Sequence, residues 1–168
     1  LPAIPPSGFS ALIGISLGKE VTTIEFTYDC ALEELFMLEE KDVERVLVVT
    51  AHPDDADFGA AGTIAHWTSL GIEVHMCLLT NGDQGGFDDT PRDQMGPLRQ
   101  AEQRRAAEIL GVKQVYFLNH KDGHLVPSVA LRGEVVKVIR EVRPQRMLIQ
   151  SPERNWERIY ASHPDHLA

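Results

Sequence analysis

His52-Pro53-Asp54-Asp55 places an imidazole and two carboxylates within four residues. The proline fixes φ and removes a backbone donor, which stiffens the turn. Adjacent carboxylates on a bent loop point in different directions, so one can hold a metal while the other reaches the water that the metal activates. The plainer reading is that Asp54 or Asp55 caps a following helix. His163-Pro164-Asp165-His166 repeats the arrangement later in the chain. Two such loops at one sheet edge could supply two histidines and a carboxylate, leaving a fourth position for water, as a catalytic zinc site requires. Arg99 and Glu102, three residues apart on one helix face, suit either this site or a simple surface pair. His66, His75, His120 and His124 read as surface or internally satisfied histidines. Gly82, Gly85 and Gly86 follow a strand but match neither G-x-G-x-x-G nor a Walker loop, and they read as glycines that let backbone approach the site. Trp156, between Arg154 and Arg158, suits a pocket wall or a packing role.

Such loops need a scaffold that brings them together. From Arg45 onward two periods alternate. Val46–Val49, Ile72–Leu79, Gln114–Leu118 and Arg146–Gln150 are aliphatic or β-branched runs bounded by turn residues, as strands covered on both faces tend to be. Between them, residues 58–70, 97–110 and 128–142 read as helices. The first ends at Gly71, and the second opens with Pro97 in its first turn and closes on Gly111. The third carries Val135, Val138, Ile139 and Val142 on one face and stops at Arg143-Pro144. This order predicts an α/β, Rossmann-like three-layer sandwich with a mainly parallel sheet. Ligands bind such sheets outside the carboxyl ends of the strands. The segments there are Thr50–Asp55, Thr80–Gly86, Asn119–Gly123 and Gln150–His166, and all are polar.

Composition bounds the rest. The 168 residues carry 25 acidic and 16 basic side chains, a net charge of −9, which leaves no basic footprint for a phosphate backbone and argues against nucleic acid as a partner. No apolar run approaches the roughly 20 residues needed to cross a bilayer, so no membrane span is expected. Cys30 and Cys77 lie outside any C-x-x-C pattern and suit a reducing cytoplasm. Residues 1–45 hold nine acids and three bases, two-thirds of the net charge. Within them Pro2, Pro5, Pro6 and Gly8 suggest an extended or disordered start, Val21–Tyr28 a strand and Cys30–Glu40 a helix. Ala11–Leu17 is too short, and lacks the cationic start, for a signal peptide. Residues 1–45 are therefore expected to form an appendage to a domain over 46–168.

That domain resembles the LmbE-like, or PIG-L-type, family of zinc-dependent de-N-acetylases. The resemblance rests on Ala51-His52-Pro53-Asp54-Asp55, Thr80-Asn81-Gly82-Asp83, Arg99-x-x-Glu102 ahead of Ala106-Ala107-x-x-Leu110-Gly111, Asp122-Gly123, and His163-Pro164-Asp165-His166, in that order. It implies His52, Asp55 and His166 as zinc ligands and Asp54 as general base. It also implies His163, paired with Asp165, as oxyanion stabiliser or proton donor, and Arg99 and Asp122 on the substrate. Two histidines and one carboxylate also suit ferrous iron. The implied partner is a small N-acetylated sugar, with a homo-oligomer left open. The family commonly has Glu after the two aspartates, where this chain has Ala56-Asp57. Its members continue well past the last histidine motif, so this chain is expected to hold an N-terminal portion of the domain with an open pocket. The alternative is a sugar- or nucleotide-binding Rossmann-like module without catalysis.

Overall fold

A computed structural model describes residues 39–86, 89–151, 153–157, 159 and 162–168, together with the backbone of two earlier strands. Those strands, β1 (Ser10–Leu17) and β2 (Glu20–Thr27), pair antiparallel from Ser10↔Thr27 to Leu17↔Glu20. The strand expected at Val21–Tyr28 is therefore present. β1 was not foreseen, and the helix expected at Cys30–Glu40 lies almost wholly outside the described residues, as does the proline-rich start. The chain divides into two compact units, residues 1–37 and 38–168.

The second unit is built from β3 (Arg45–Thr50), α1 (Asp55–Ser69), β4 (Glu73–Thr80), α2 (Arg92–Ile109), β5 (Gln114–His120), α3 (Val129–Val142) and β6 (Arg146–Ile149). The four strands are all parallel, in the order β5-β4-β3-β6. Alternation along the strands sorts the core onto two faces. Val46, Val48, Val74, Met76 and Leu78 meet Ala56, Ile64 and Trp67 of α1 and Ala107 of α2. Leu47, Cys77 and Leu79 meet Leu131, Val138 and Val142 of α3. Helices cover both faces, so the expected three-layer α/β sandwich is the observed one. No helix among the described residues is long and apolar enough to cross a membrane.

The helix boundaries differ from expectation in one instructive place. α2 starts at Arg92, and Pro97 is inside it. Pro97 lacks only the donor that would reach back to the Asp93 carbonyl, and the first turn is closed by the Gln94 and Met95 amides, which both donate to the Pro91 carbonyl. Met95 at 2% exposure and the buried Gly96 anchor that extra turn to the protein, which the periodicity of 97–110 alone did not reveal. α3 begins as expected, with Ser128 accepting from the Leu131 amide, and ends at Arg143 in the left-handed region before Pro144.

The topology places the site. The chain winds outward from β3 through β4 to β5, then returns to the other side of β3 to form β6. The loops after β3 and β6 therefore diverge from neighbouring strands, which opens a crevice at their carboxyl ends. Ala51, at the end of β3, is tied across this point to the Gln150 side chain through its amide (3.0 Å), and its carbonyl accepts from Thr80 (2.8 Å).

Candidate metal centre

The loops after β3, β5 and β6 converge on His52. Its Nδ1 lies 3.2 Å from His166 Nε2 and 3.4 Å from Asp55 Oδ2, and Asp55 Oδ1 lies 3.2 Å from His166 Nε2. A tetrahedral zinc with bonds of about 2.0–2.1 Å separates its ligand atoms by about 3.3–3.4 Å. The two imidazole nitrogens stand at about that spacing, and the Asp55 carboxylate reaches each of them through a different oxygen. Asp55 is the first residue of α1 and also accepts from the His52 backbone amide at 2.8 Å, which fixes its carboxylate against the start of the helix.

The other nitrogen of His52 faces the opposite way. Nε2 meets Asp122 Oδ1 at 2.9 Å and Asp165 Oδ2 at 3.1 Å. Two carboxylate acceptors place the ring proton on Nε2 and leave the Nδ1 lone pair for a metal, the usual arrangement behind a ligating histidine. Asp165 is fully enclosed, and its carboxylate also accepts from the Gly123 amide (2.7 Å) and the Leu125 amide (3.1 Å). Asp83, in the loop after β4, accepts from the Asp122 amide at 2.9 Å and so anchors the same turn.

Several expected contacts are rearranged. Asp165 was expected to orient His163 through its carboxylate, but that carboxylate is on His52. Only the Asp165 backbone amide reaches His163, donating to Nδ1 at 3.2 Å. An amide can only donate, so Nδ1 uses its lone pair there and the neutral ring carries its proton on Nε2. His163 packs edge-on to His52, with ring centroids 4.7 Å apart. Asp122 and Arg99, both expected on the substrate, are engaged within the protein. Asp122 sits on His52, and Arg99 binds Asp54 Oδ2 at 2.5 Å and Glu102 at 2.6 Å. The Arg99–Glu102 surface pair is therefore real, but it is half of a clamp on Asp54.

Asp54 stands at the position before α1 with φ 80°, and its side chain makes no capping bond. The capping explanation thus fails for Asp54, and a left-handed conformation at a non-glycine residue costs of order 1–3 kcal/mol. The sequence did not point to Gln103, a 3%-exposed side chain on α2 whose Oε1 accepts from the Asp54 amide at 2.7 Å. The available signal was an amide in the helix row that also carries Met95 and Ala107.

Charge in the pocket is shared unevenly. Burial works to lower the pKa of His52 and is the largest single influence. The bond to Asp55 and the charges of Asp122, Asp55 and Asp165 together outweigh it, so His52 is pushed up to about 9. Burial lowers His166, aided by repulsion from His52 and His163 and only partly offset by Asp55. Burial would raise Asp55, but its bonds to His52 and the charge of His166 hold it below the usual carboxylate range. Without a metal His52 therefore carries a second proton, on Nδ1, which a metal ion would have to displace, while His166 is neutral.

Other donor atoms also lie close enough to share an ion. His52, His163 and His166 form one such group, and His52, Asp122 and Asp165 another, each within 4.8 Å. His163 is a poor ligand in this geometry because Nε2 carries its proton. Asp122 and Asp165 already accept from His52 Nε2. The remaining histidines have ordinary partners: His66 pairs with Glu40, His75 with Glu73, His120 with Glu134, and His124 bonds the Asp122 carbonyl. Trp156 is 76% exposed among the described residues, and Arg154 lies over its ring at 5.9 Å.

Gly82 is where the loop after β4 meets the His52 loop. Its φ is +62°, and a Cβ there would stand 3.0 Å from Pro53 Cδ and 3.2 Å from Cγ. Gly82→Ala is expected to cost about 2 kcal/mol, or roughly 6 °C in melting temperature. Gly123→Ala, with φ +77° but nothing within 4 Å, should cost about half that, since only the backbone strain remains. Thermal unfolding of the two variants checks the difference; equal losses would remove Pro53 as the cause.

Residues 47–168 match the family described as PIG-L, GlcNAc-PI de-N-acetylase. The chain is 37% identical over 152 residues to a diacetylchitobiose deacetylase of Thermococcus kodakarensis, covering 88% of this chain and 55% of that protein. Among solved structures it is similar to the N,N'-diacetylchitobiose deacetylase of Pyrococcus horikoshii, with TM-score 0.70 and 34% identity over 76% of this chain and 46% of that one. It is also similar to GalB, the 4-carboxy-2-hydroxymuconate hydratase of Pseudomonas putida, with TM-score 0.62 and 25% identity over 74% and 54%. The chain spans about half the length of these relatives. A match over 47–168, on the same loops that build the His52–Asp55–His166 pocket, shows that the chain belongs to the PIG-L family of de-N-acetylases.

Proposed function

We propose that this chain is the metal-binding portion of a zinc-dependent hydrolase that removes the acetyl group from an N-acetylglucosamine-type sugar conjugate, with residues 46–168 as the catalytic part. The observation that carries the reading is the spacing of His52 Nδ1, Asp55 and His166 Nε2, at 3.2–3.4 Å, beside the unpaired-for-capping carboxylate of Asp54. His52, Asp55 and His166 would hold the ion; the same donors suit ferrous iron. A bound zinc supplies Lewis acidity to the acyl oxygen and acidity to a water.

The protein's own groups do the rest. Asp54, held at one oxygen by Arg99, takes a proton from the attacking water and returns it to the leaving nitrogen, so the amide becomes a carboxylic acid and a primary amine. His163, whose Nδ1 accepts the Asp165 amide, presents its Nε2–H as a hydrogen-bond donor to the developing oxyanion. Asp122 and Asp165 hold the His52 ring so that Nδ1 faces the ligands. Arg99 acts on Asp54.

The test is primary-amine release from N-acetylglucosamine and diacetylchitobiose by the zinc-loaded chain, with 4-carboxy-2-hydroxymuconate as a comparison for water addition. Metal-dependent amine release is the expected result. Sugar binding by a chain that takes up no metal would overturn the reading in favour of a binding module. Zinc uptake should also depend on pH. Binding through Nδ1 requires the His52 proton to leave, and that proton is held up to about pH 9. Zinc affinity should therefore rise about tenfold per unit between pH 6.5 and 9 and then level off. Titration calorimetry in buffers of different ionisation enthalpy should find about one proton released per zinc near pH 7.5; no release would contradict the charge assignment.

A further inference from the structure

Gln103 lies at the centre of α2 and is 3% exposed. A buried primary amide is costly unless both ends are bonded, and here both are. Oε1 accepts the Asp54 amide at 2.7 Å, while Nε2 donates to Asp57 Oδ1 at 3.4 Å and approaches Met76 Sδ at 3.8 Å. Gln103 thus grips from beneath the same residue whose carboxylate Arg99 grips from the side. That residue is strained, with φ 80°, and a strained turn persists only where its surroundings over-determine it.

We propose that Gln103 is a positioning residue: its carbonyl oxygen holds the Asp54 amide and thereby fixes the left-handed turn that sets the Asp54 carboxylate against Arg99, beside the His52–Asp55–His166 pocket. It rests on the reading of Asp54 as the proton acceptor of the reaction. Asp57 is part of the same device, since the Gln103 amide group that it receives keeps the carbonyl oxygen turned toward Asp54.

The test compares Gln103→Met, which fills the same space without an acceptor, with Gln103→Glu, which keeps an oxygen for the Asp54 amide. In the zinc-loaded chain, Gln103→Met should lower kcat about 30-fold, as a misplaced catalytic group does, with KM and zinc Kd changed less than threefold. Gln103→Glu should recover part of that loss, limited by the lost bond to Asp57 and the repulsion between the two carboxylates. The double variant with Asp54→Asn should be no slower than Asp54→Asn alone, because Gln103 acts through Asp54. An unchanged kcat in Gln103→Met overturns the proposal and leaves the Asp54 reading intact; activity retained by Asp54→Asn overturns that reading instead. A readout without turnover is amide hydrogen exchange in the metal-free chain. The Asp54 amide should exchange at least tenfold faster in Gln103→Met while the His52 amide, bonded to Asp55, is unaffected. Equal protection of Asp54 in both chains overturns the proposal.

Discussion

Changing Asp54 to Asn is expected to slow amine release about a thousandfold while leaving one zinc per chain and an unchanged melting temperature. Few substitutions separate chemistry from structure so cleanly. Asp54 occupies φ 80°, a region where Asn is at least as comfortable as Asp, so the turn is not disturbed. Its backbone amide still meets Gln103, and Arg99 still has Glu102. Asp54 is not among the proposed ligands His52, Asp55 and His166, so the ion should stay. What disappears is the only function assigned to the side chain, acceptance of a proton from the attacking water and its return to the leaving amine. Amine labelling, metal analysis and thermal unfolding on one preparation would measure all three quantities. Amine release within tenfold of the unmodified chain would sink the assignment, and loss of zinc would move Asp54 into the ligand set.

Much of the scaffold was legible because buried parallel strands read as unbroken apolar runs. Val46–Val49 is such a run, Ile72–Leu79 is one interrupted only by Glu73 and His75, and they became β3 and β4. The start of α2 was hidden because Pro97 imitates a first-turn residue, whereas the true first turn is held by the burial of Met95 and Gly96. In the site, residue type and repetition marked the two His-Pro-Asp loops as possible metal-binding loops, and the family resemblance singled out His52, Asp55 and His166 within them. Orientation was not legible. Which nitrogen of His52 is free to face an ion depends on where Asp122 and Asp165 fall, and those come from loops 70 and 113 residues away in sequence. The same holds for Arg99, whose partner Asp54 is 45 residues distant and reached only once α2 lies beside the turn before α1.

Replacing His166 with Ala is expected to weaken zinc binding by about a thousandfold or more, whereas His163→Ala should keep one zinc per chain and lose only activity. The pair decides among the donor groups that meet at His52. His166 offers Nε2 at 3.2 Å from both His52 Nδ1 and Asp55, and its ring is held neutral, chiefly by burial, which is the form that binds metal. His163 receives the Asp165 amide on Nδ1, so presenting Nε2 as a ligand would require breaking that bond or charging the ring. Asp55→Ala should behave like His166→Ala. Asp122→Asn should weaken zinc only about 10–100-fold, because it acts on the ligand and not on the ion. Zinc retained in Asp55→Ala but lost in His163→Ala would assign the ion to the three histidines, and Nδ1 of His163 would then have to release the amide that now holds it.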